Sequence, residues 1–233
     1  MLLVDLDPQA NLTSSFTAQA SNDRTVEQLF DPTIDPDVSG LVQQTTFKGV
    51  DLIPSSSRLE PVNITDNWQQ ADLHLSLAHA LEQIRSDYDY ILFDCPPSLS
   101  LVSYAALCAS DFVVIPLEAA QWGALGTQHI AEAIQLVQQQ YNSRLQLMGY
   151  LVSRYKSRRS YQQTYLTTLK SQFGDQSFET VVPDLAAFEK AVTDRIPISV
   201  HSPNSRANSI AQRLFSEVES RAEKLSAVSR VNG

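Results

Sequence analysis

The sequence of 233 residues predicts an α/β fold, in which a mostly parallel, doubly wound sheet carries helices on both faces. Three observations predict it. Short apolar runs that end in aspartate or proline recur along the chain, which is typical of buried parallel strands. Segments with apolar residues three and four positions apart lie between these runs, as in amphipathic helices. Apolar residues make up 43% of the chain and charged residues 18%, so a core can form.

The predicted strands share one pattern, an apolar run followed by a polar or proline-containing turn. The first run is closed by Asp5 and Asp7, and a later one is closed by Asp94 and two prolines. In chain order the predicted strands are residues 1–4, 50–54, 90–93, 112–115, 145–152 and 178–182.

The predicted helices follow from apolar stripes. In the first of them Leu73, Leu77 and Ile84 fall on one face. The predicted helices are residues 70–85, 98–109, 122–141, 162–173, 186–192 and 205–227. Residues 31–48 are polar and proline-rich, so we expect a surface excursion there. Because no repeat or low-complexity linker interrupts the pattern, we expect residues 1–233 to form a single nucleotide-binding domain.

Composition limits the possible functions. The formal net charge is −9, so contact with DNA requires a local basic patch or an assembled oligomer. The two cysteines and four histidines have no metal-binding spacing, which argues against a disulfide scaffold and a zinc site. No apolar run approaches membrane-spanning length and the first residues do not resemble a signal peptide, so we expect a cytoplasmic protein.

Glycine is scarce, with seven in the chain, and no lysine follows one of them. The sequence therefore contains neither a Gly-x-x-x-x-Gly-Lys-Ser/Thr loop nor a Gly-x-Gly-x-x-Gly turn, the two common loops that bind phosphate groups.

Aspartates end two of the predicted strands. Ligands of doubly wound sheets bind at the carboxyl ends of the strands, where Asp5, Asp7 and Asp94 fall. Carboxylates at this position suit a Mg²⁺ ion held through water, and Pro96 and Pro97 stiffen the turn after Asp94. An ordinary turn or a helix cap explains the same residues.

A basic cluster interrupts the acidic chain at Arg154, Lys156, Arg158 and Arg159. Four positive charges in six residues fit a patch that contacts the phosphates of a nucleotide or of DNA. A solvated loop at the start of a helix is the alternative interpretation.

Two segments, residues 1–16 (MLLVDLDPQANLTSSF) and residues 88–99 (YDYILFDCPPSL), carry specific motifs. They resemble the second motif and the Walker B and switch II segment of the ParA/Soj family of partition ATPases. Residues 109–118 and 122–127 are similar to the next strand and helix. Fainter similarities in the carboxyl-terminal half are found at residues 182–183, 196–198 and 202–207.

The resemblance implies residue roles. Asp7 corresponds to the aspartate that positions the attacking water, Asp5 to a neighbour that supports the Mg²⁺ shell, and Asp94 to the Walker B aspartate that holds the metal. Arg206 corresponds to a basic residue that contacts nonspecific DNA in the ATP-bound dimer, whereas Asp184 stands where many relatives carry arginine. The switch segments implied by the resemblance contain Pro8, Gln9, Asn11, Pro96 and Pro97.

The resemblance also implies an activity. An intact member binds ATP and Mg²⁺, forms a homodimer, loads on nonspecific DNA and is released by a ParB-like or cargo adaptor protein. The implied process is plasmid or chromosome partition, or cargo positioning, in a nucleoid-associated cytoplasmic protein. Residues 217–233 lack the apolar face of an interfacial helix, so we expect no membrane contact.

The chain departs from the family in one respect. Family members begin with a strand, a Lys-Gly-Gly-x-Gly-Lys-Thr loop and a helix, and a unit of that kind, about thirty residues, is not found in this sequence. We therefore expect very weak ATP binding and an exposed sheet edge. One alternative is a catalytically dead interaction protein or a degraded gene copy that retains partner or dimer surfaces. A further alternative is a biosynthetic ligase or synthetase of the same superfamily.

Overall fold

The computed structural model describes residues 1–17, 24–33, 37–64, 71–118 and 124–232. It confirms the α/β class with a mostly parallel sheet. The strands are β1 (Leu2–Asp5), β2 (Gln43–Gln44), β3 (Asp51–Ile53), β4 (Ile91–Asp94), β5 (Phe112–Glu118) and β6 (Gln146–Ser153).

Helices connect the strands. They are α1 (Asn11–Phe16), α2 (Val38–Leu41), α3 (Glu60–Ile64), α4 (Ala71–Leu81), α5 (Leu101–Ala109), α6 (Ala124–Gln140), α7 (Ser160–Phe173), α8 (Ala186–Thr193), α9 (Ile198–His201) and α10 (Arg206–Asn232). All six predicted helices are present, with ends that differ from the prediction by a few residues. The short helices α1, α2, α3 and α9 were not predicted, because one or two turns are too short to show a periodic stripe.

The chain divides into two compact units. The first contains residues 1–110 and 135–143, and the second contains residues 111–134 and 144–233. The prediction of a single domain over residues 1–233 stays a prediction.

The sheet of the first unit has the strand order β2-β3-β1-β4. The central strand β1 is buried along its whole length and is parallel to both β3 and β4, whereas β2 is antiparallel. In the register of β1 and β4, Val4 lies opposite Phe93 and Asp5 lies opposite Asp94. The two aspartates therefore end neighbouring strands at the same edge of the sheet.

One face of this sheet packs on α4 and α5 to form the core of the first unit. Leu2 and Val4 of β1 are fully buried there against Leu77 of α4 and Ala105 of α5. The apolar side chains whose spacing of three and four residues predicts α4 form the stripe that faces the sheet. Burying a leucine side chain contributes about 1.5–3 kcal/mol, so α4 owes its stability mainly to this packing.

Part of the segment 31–48 belongs to the core, contrary to the expected surface excursion. Val38 and Leu41, one helical turn apart on α2, are buried with Phe30 in the same cluster. Burial of these two apolar residues stabilises the short helix against the core, although the flanking residues are polar. Residues 34–36 lie outside the described part of the chain.

In the second unit β5 and β6 form a parallel pair with an irregularity between Val113 and Val114. Gly149 on β6 has a φ of 147°, and a Cβ at this position would lie 2.3 Å from the carbonyl oxygen of Gln176. A glycine is therefore required where the turn after α7 crosses this strand.

The strand predicted at residues 178–182 is not formed. The segment makes backbone hydrogen bonds to β6 only at its ends, from Phe178 N to Tyr150 O and from Val182 N to Val152 O, each at 2.9 Å. Between them the amides of Glu179 and Thr180 donate to the carboxylate of Glu217 on α10, each at 2.8 Å. These two amides therefore bind the side chain of Glu217 instead of contributing to a strand ladder.

Arg221 on α10 holds the same region together. Its guanidinium lies 4.3 Å from the ring centroid of Phe178, and its side chain is largely buried. Its guanidinium donates four hydrogen bonds, to the carboxylate of Glu217 and to the carbonyl oxygens of Met148, Asp175 and Ser177, and Nη2 forms an ion pair with Glu217 at 3.0 Å. The planar fork of arginine matches this arrangement, so Arg221 ties α10 to β6 and to the turn after α7.

Candidate functional site

Asp5 ends β1 and points into the protein. It is fully buried, and its carboxylate accepts hydrogen bonds from the backbone N–H of Asp7 at 3.1 Å and from the N–H and hydroxyl of Thr13 at 2.8 and 2.7 Å. Burial raises the pKa of Asp5 above its usual range, and the bonds from Thr13 and Asp7 act in the opposite direction. Asp5 therefore organises the turn between β1 and α1, with its oxygens already engaged.

The turn that Asp5 holds carries Asp7 and the predicted first switch segment. The carboxylate of Asp7 accepts the N–H of Gln9 at 2.9 Å, and its carbonyl accepts the N–H of Ala10 at 2.9 Å. Ala10 adopts a left-handed backbone with a φ of 52°, after which α1 begins. Pro8 is half-buried, whereas Gln9 and Asn11 are exposed. The local bonds fix Asp7 at the rim of the sheet, and its second carboxylate oxygen accepts no hydrogen bond from the described residues.

Asp94 ends β4 beside this turn. Its carbonyl accepts the N–H of Leu6 at 2.8 Å, which continues the ladder beyond Asp5, and its side chain is partly open to solvent. Partial burial raises the pKa of the Asp94 carboxyl to about 6, and the charges of Asp5 and Asp7 act in the same direction. Pro96 is half-buried and Pro97 exposed in the turn that follows.

The arrangement suits a hydrated cation better than a directly bound metal. Within the described residues, no three histidine, cysteine or acidic side chains converge closely enough to bind a metal ion. Burial and the charges of Asp5 and Asp7 disfavour the ionised form of Asp94, and Asp94 has no ion pair in the described part of the chain. A cation held through water would relieve this repulsion, so the side chains of Asp94 and Asp7 fit Mg²⁺.

The predicted basic cluster lies in the second unit and is partly neutralised. Arg154, in a left-handed conformation, pairs with Glu118 at 3.0 Å, and Lys156 pairs with Asp184 at 2.7 Å. Arg159 donates to the hydroxyl of Tyr161 at 2.8 Å, whereas Arg158 is exposed.

Arg206, the other predicted basic contact, also lies in the second unit, where it is exposed at the first position of α10. No described helix of either unit is long and apolar enough to cross a membrane.

Thr13 is the part of the site that sequence reasoning missed. It is buried on α1, and its hydroxyl both donates to Asp5 and accepts the N–H of Ser55 at 2.9 Å, just beyond β3. It therefore links the carboxyl ends of two neighbouring strands. The sequence signal was a polar residue among the first residues of a helix that follows a strand ending in aspartate.

Comparisons with known proteins identify the family of the chain. A family model described as an AAA domain matches residues 1–147. The sporulation initiation inhibitor protein Soj of Bacillus subtilis is 33% identical over 220 residues, which cover 94% of this chain and 85% of Soj. The chromosome partitioning protein ParA of Caulobacter vibrioides is 29% identical over 229 residues, which cover 95% of this chain and 83% of ParA.

Solved structures show the same fold. Cobyrinic acid a,c-diamide synthase from Mycobacterium smegmatis, with a bound ATP analogue and magnesium, has 28% identity and a TM-score of 0.68 over 79% of this chain and 72% of its own. Apo McdA of Cyanothece has 19% identity and a TM-score of 0.78 over 95% of this chain and 86% of its own. These structures have the α/β architecture seen here.

Proposed function

The chain belongs to the ParA/Soj family of partition ATPases, and from that premise we propose that it carries the water-positioning and cation-holding half of an ATPase site. The relatives support a ParA-like function in partitioning or positioning. The observation that carries the proposal is the register of β1 and β4, which sets Asp5 beside Asp94 and brings Asp7 to the same edge.

Asp7 is the residue that positions water in this proposal. One of its carboxylate oxygens accepts the N–H of Gln9, and the other, which binds none of the described residues, accepts a hydrogen bond from a water molecule in this proposal. Asp5 does not reach that water itself, because its oxygens are occupied by Thr13 and by the N–H of Asp7. We assign Asp5 the role of holding the Asp7 turn in place rather than the metal-shell role implied by the resemblance.

Asp94 is the residue that holds the cation through water. Burial raises its pKa, and the charges of Asp5 and Asp7 raise it further, so a cation beside it is favoured by all three carboxylates. When bound, Mg²⁺ supplies positive charge to neutralise phosphate oxygens. Pro96 and Pro97 restrict the turn that presents Asp94, because each proline fixes its φ and lacks an N–H.

The residues of this sequence do not supply the part of an ATPase site that binds the phosphates of ATP. The 233 residues contain no Gly-rich loop ending in lysine, which supplies backbone N–H groups and a cation to the phosphates. Each charge-assisted hydrogen bond of such a loop contributes about 1.5–3 kcal/mol. We therefore propose that this polypeptide alone binds ATP very weakly.

Isothermal titration with ATP and Mg²⁺ tests this point. We expect no saturable binding in the micromolar range. Saturable micromolar binding that Asp94→Ala abolishes would overturn the proposal, since it would mean that other groups in the chain hold the phosphates.

DNA binding and dimerisation are further parts of the proposal. Arg206 and Arg158 are exposed basic residues in the second unit, and ion pairs with acidic residues reduce the charge of Arg154 and Lys156. We propose nonspecific DNA contact through Arg206 in a dimer located at the nucleoid. Gel-shift titrations at two salt concentrations test it: Arg206→Ala should weaken binding and reduce its salt dependence, whereas Lys224→Ala should not.

A non-catalytic interaction protein that keeps partner or dimer surfaces is the second candidate. Such a protein would bind a ParB-like or cargo adaptor protein without nucleotide. A pull-down with and without ATP and Mg²⁺ separates the candidates. Equal capture in both conditions supports the interaction protein, and capture that requires ATP supports the ATPase.

A further inference from the structure

The second unit contains a cavity of about 710 Å³ between β6, the turn after α7 and α10. Leu147 and Met148 of β6 and Leu225 of α10 line its apolar part. The first two residues belong to the amino-terminal half of β6. Ligands of doubly wound sheets bind at the carboxyl ends of the strands, so this cavity is not the crevice that such sheets use for nucleotides. Its volume is typical of sites that bind small molecules.

Arg221 and Glu217 line the cavity, but bonds within the protein occupy them. The guanidinium of Arg221 donates to Glu217 and to three carbonyl oxygens. The carboxylate of Glu217 also accepts the N–H groups of Glu179 and Thr180. These bonds hold the turn after α7 against β6 and α10. They therefore shape the cavity and leave the recognition of a ligand to other side chains.

Ser177 lines the cavity, and its buried hydroxyl has no hydrogen-bond partner among the described residues. The residue is 3% exposed. Its backbone is satisfied, because its N–H donates to Gly174 at 2.9 Å and its carbonyl accepts Arg221 at 2.7 Å. A buried hydroxyl without a partner is unfavourable, so a ligand group that binds it is favoured. Since a hydroxyl both donates and accepts, it suits either half of a peptide group.

Two exposed side chains of opposite charge, Asp175 and Lys224, line the same cavity. Neither forms an ion pair within the described part of the chain. The carbonyl of Asp175 accepts Arg221 at 2.8 Å, and Lys224 follows Arg221 by three residues on α10, so both are neighbours of the same arginine. A ligand that carries an ammonium group at one end and a carboxylate at the other complements this pair.

We propose that this cavity binds a dipeptide with apolar side chains. The ammonium group of the dipeptide pairs with Asp175, its carboxylate pairs with Lys224, and its peptide group binds the hydroxyl of Ser177. The apolar lining contacts its side chains. A free amino acid carries the same two charges but has no peptide group, so it binds more weakly. None of these contacts involves Asp7 or Asp94, so binding requires no nucleotide.

An NMR titration of the isotope-labelled full chain with the dipeptide Leu-Leu tests the proposal. The amide signals of Gln176, Ser177 and Leu225 should shift and saturate at millimolar dipeptide, with and without ATP. Acetylating the amino group or amidating the carboxylate of Leu-Leu removes one ion pair, and each change should weaken binding about threefold. Gly-Gly, which keeps both charges but lacks apolar side chains, should bind at least fivefold more weakly, and so should free leucine.

Matched variants of the protein identify the contacts. Asp175→Asn should remove the effect of acetylation, and Lys224→Ala should remove the effect of amidation, because the charge that each change would leave unpaired is then absent. Ser177→Ala should weaken binding of Leu-Leu at least threefold, whereas Lys190→Ala, at an exposed lysine on α8, should leave it unchanged. The absence of saturable shifts, or equal binding of Gly-Gly or free leucine, would overturn the proposal. Binding that both Ser177→Ala and Lys224→Ala leave unchanged would also overturn it.

Discussion

Thr13→Val tests how the acidic edge of the sheet is held together. The substitution keeps the shape of the side chain but removes a buried hydroxyl that donates to Asp5 at 2.7 Å and accepts the N–H of Ser55 at 2.9 Å. Losing a hydrogen bond to a charged group costs about 1.5–3 kcal/mol, and leaving a buried N–H without a partner costs about 1–3 kcal/mol. Allowing for some relaxation around the site, we expect the free energy of unfolding to fall by about 3 kcal/mol.

The loss should depend on pH. Burial already raises the pKa of Asp5, and the Thr13 hydroxyl opposes that rise. Without the hydroxyl the pKa of Asp5 in the folded state rises further. The pH range in which Asp5 is protonated in the folded state but ionised in the unfolded state therefore becomes wider. The cost of keeping Asp5 ionised is therefore larger at pH 8 than at pH 5.

Urea unfolding followed by circular dichroism at both pH values is the assay. Thr13→Ser keeps the hydroxyl and is the matched control, for which we expect a loss of about 1 kcal/mol from the missing methyl group. If Thr13→Val lost less than about 0.5 kcal/mol, or if Thr13→Ser were equally destabilised, the bonds of the hydroxyl would not be what holds Asp5 and β3 together.

Three further substitutions test other parts of the structure. Asp94→Asn should stabilise the protein at pH 8 by about 1 kcal/mol. The pKa of Asp94 is about 6 in the folded state, so its ionisation above that pH costs stability, and solvent exposure of the side chain reduces this cost. The gain should vanish in urea melts at pH 4. Burial lowers the pKa of His74, so the wild type should lose stability as the pH falls below about 6.5, where the unfolded chain takes up the proton. His74→Gln should remove that part of the pH dependence in melts between pH 8 and 5, and an unchanged dependence would contradict it. Arg221→Lys cannot replace the four hydrogen bonds of the guanidinium, so it should cost about 2–4 kcal/mol in urea unfolding, whereas Lys224→Ala on the same helix should cost under about 0.5 kcal/mol.

The fold could be predicted because its signals are local. Short apolar runs mark β1, β4, β5 and β6, apolar spacing of three and four residues marks the main helices between them, and the ends of the strands place Asp5 and Asp94 side by side. Burial of Asp5 was not predictable in the same way. Its environment depends on Thr13, which approaches only after α1 has folded back against the strand.

Other parts of the structure depend on partners distant in the sequence. Residues 178–182 have the composition of a strand, but Glu217 takes two of their amides. The basic cluster has the composition of a phosphate-binding patch, but Asp184 pairs with Lys156 and Glu118 with Arg154. In each case an ion pair or a hydrogen bond across more than twenty residues changes the local geometry or charge, and a local sequence pattern does not contain that information. Phosphate contact by the basic cluster stays a prediction.

We propose that Asp94 and Asp7 hold a hydrated cation and that these 233 residues alone bind ATP very weakly. The most direct measurement is a titration of the isotope-labelled protein with Mn²⁺, which broadens the NMR signals of nearby amides, followed by addition of ATP. We predict that the amides of Asp7 and Asp94 broaden first, that Asp94→Asn removes the effect, and that ATP adds no saturable change in the micromolar range. Broadening elsewhere in the chain, or a saturable micromolar response to ATP, would contradict the account.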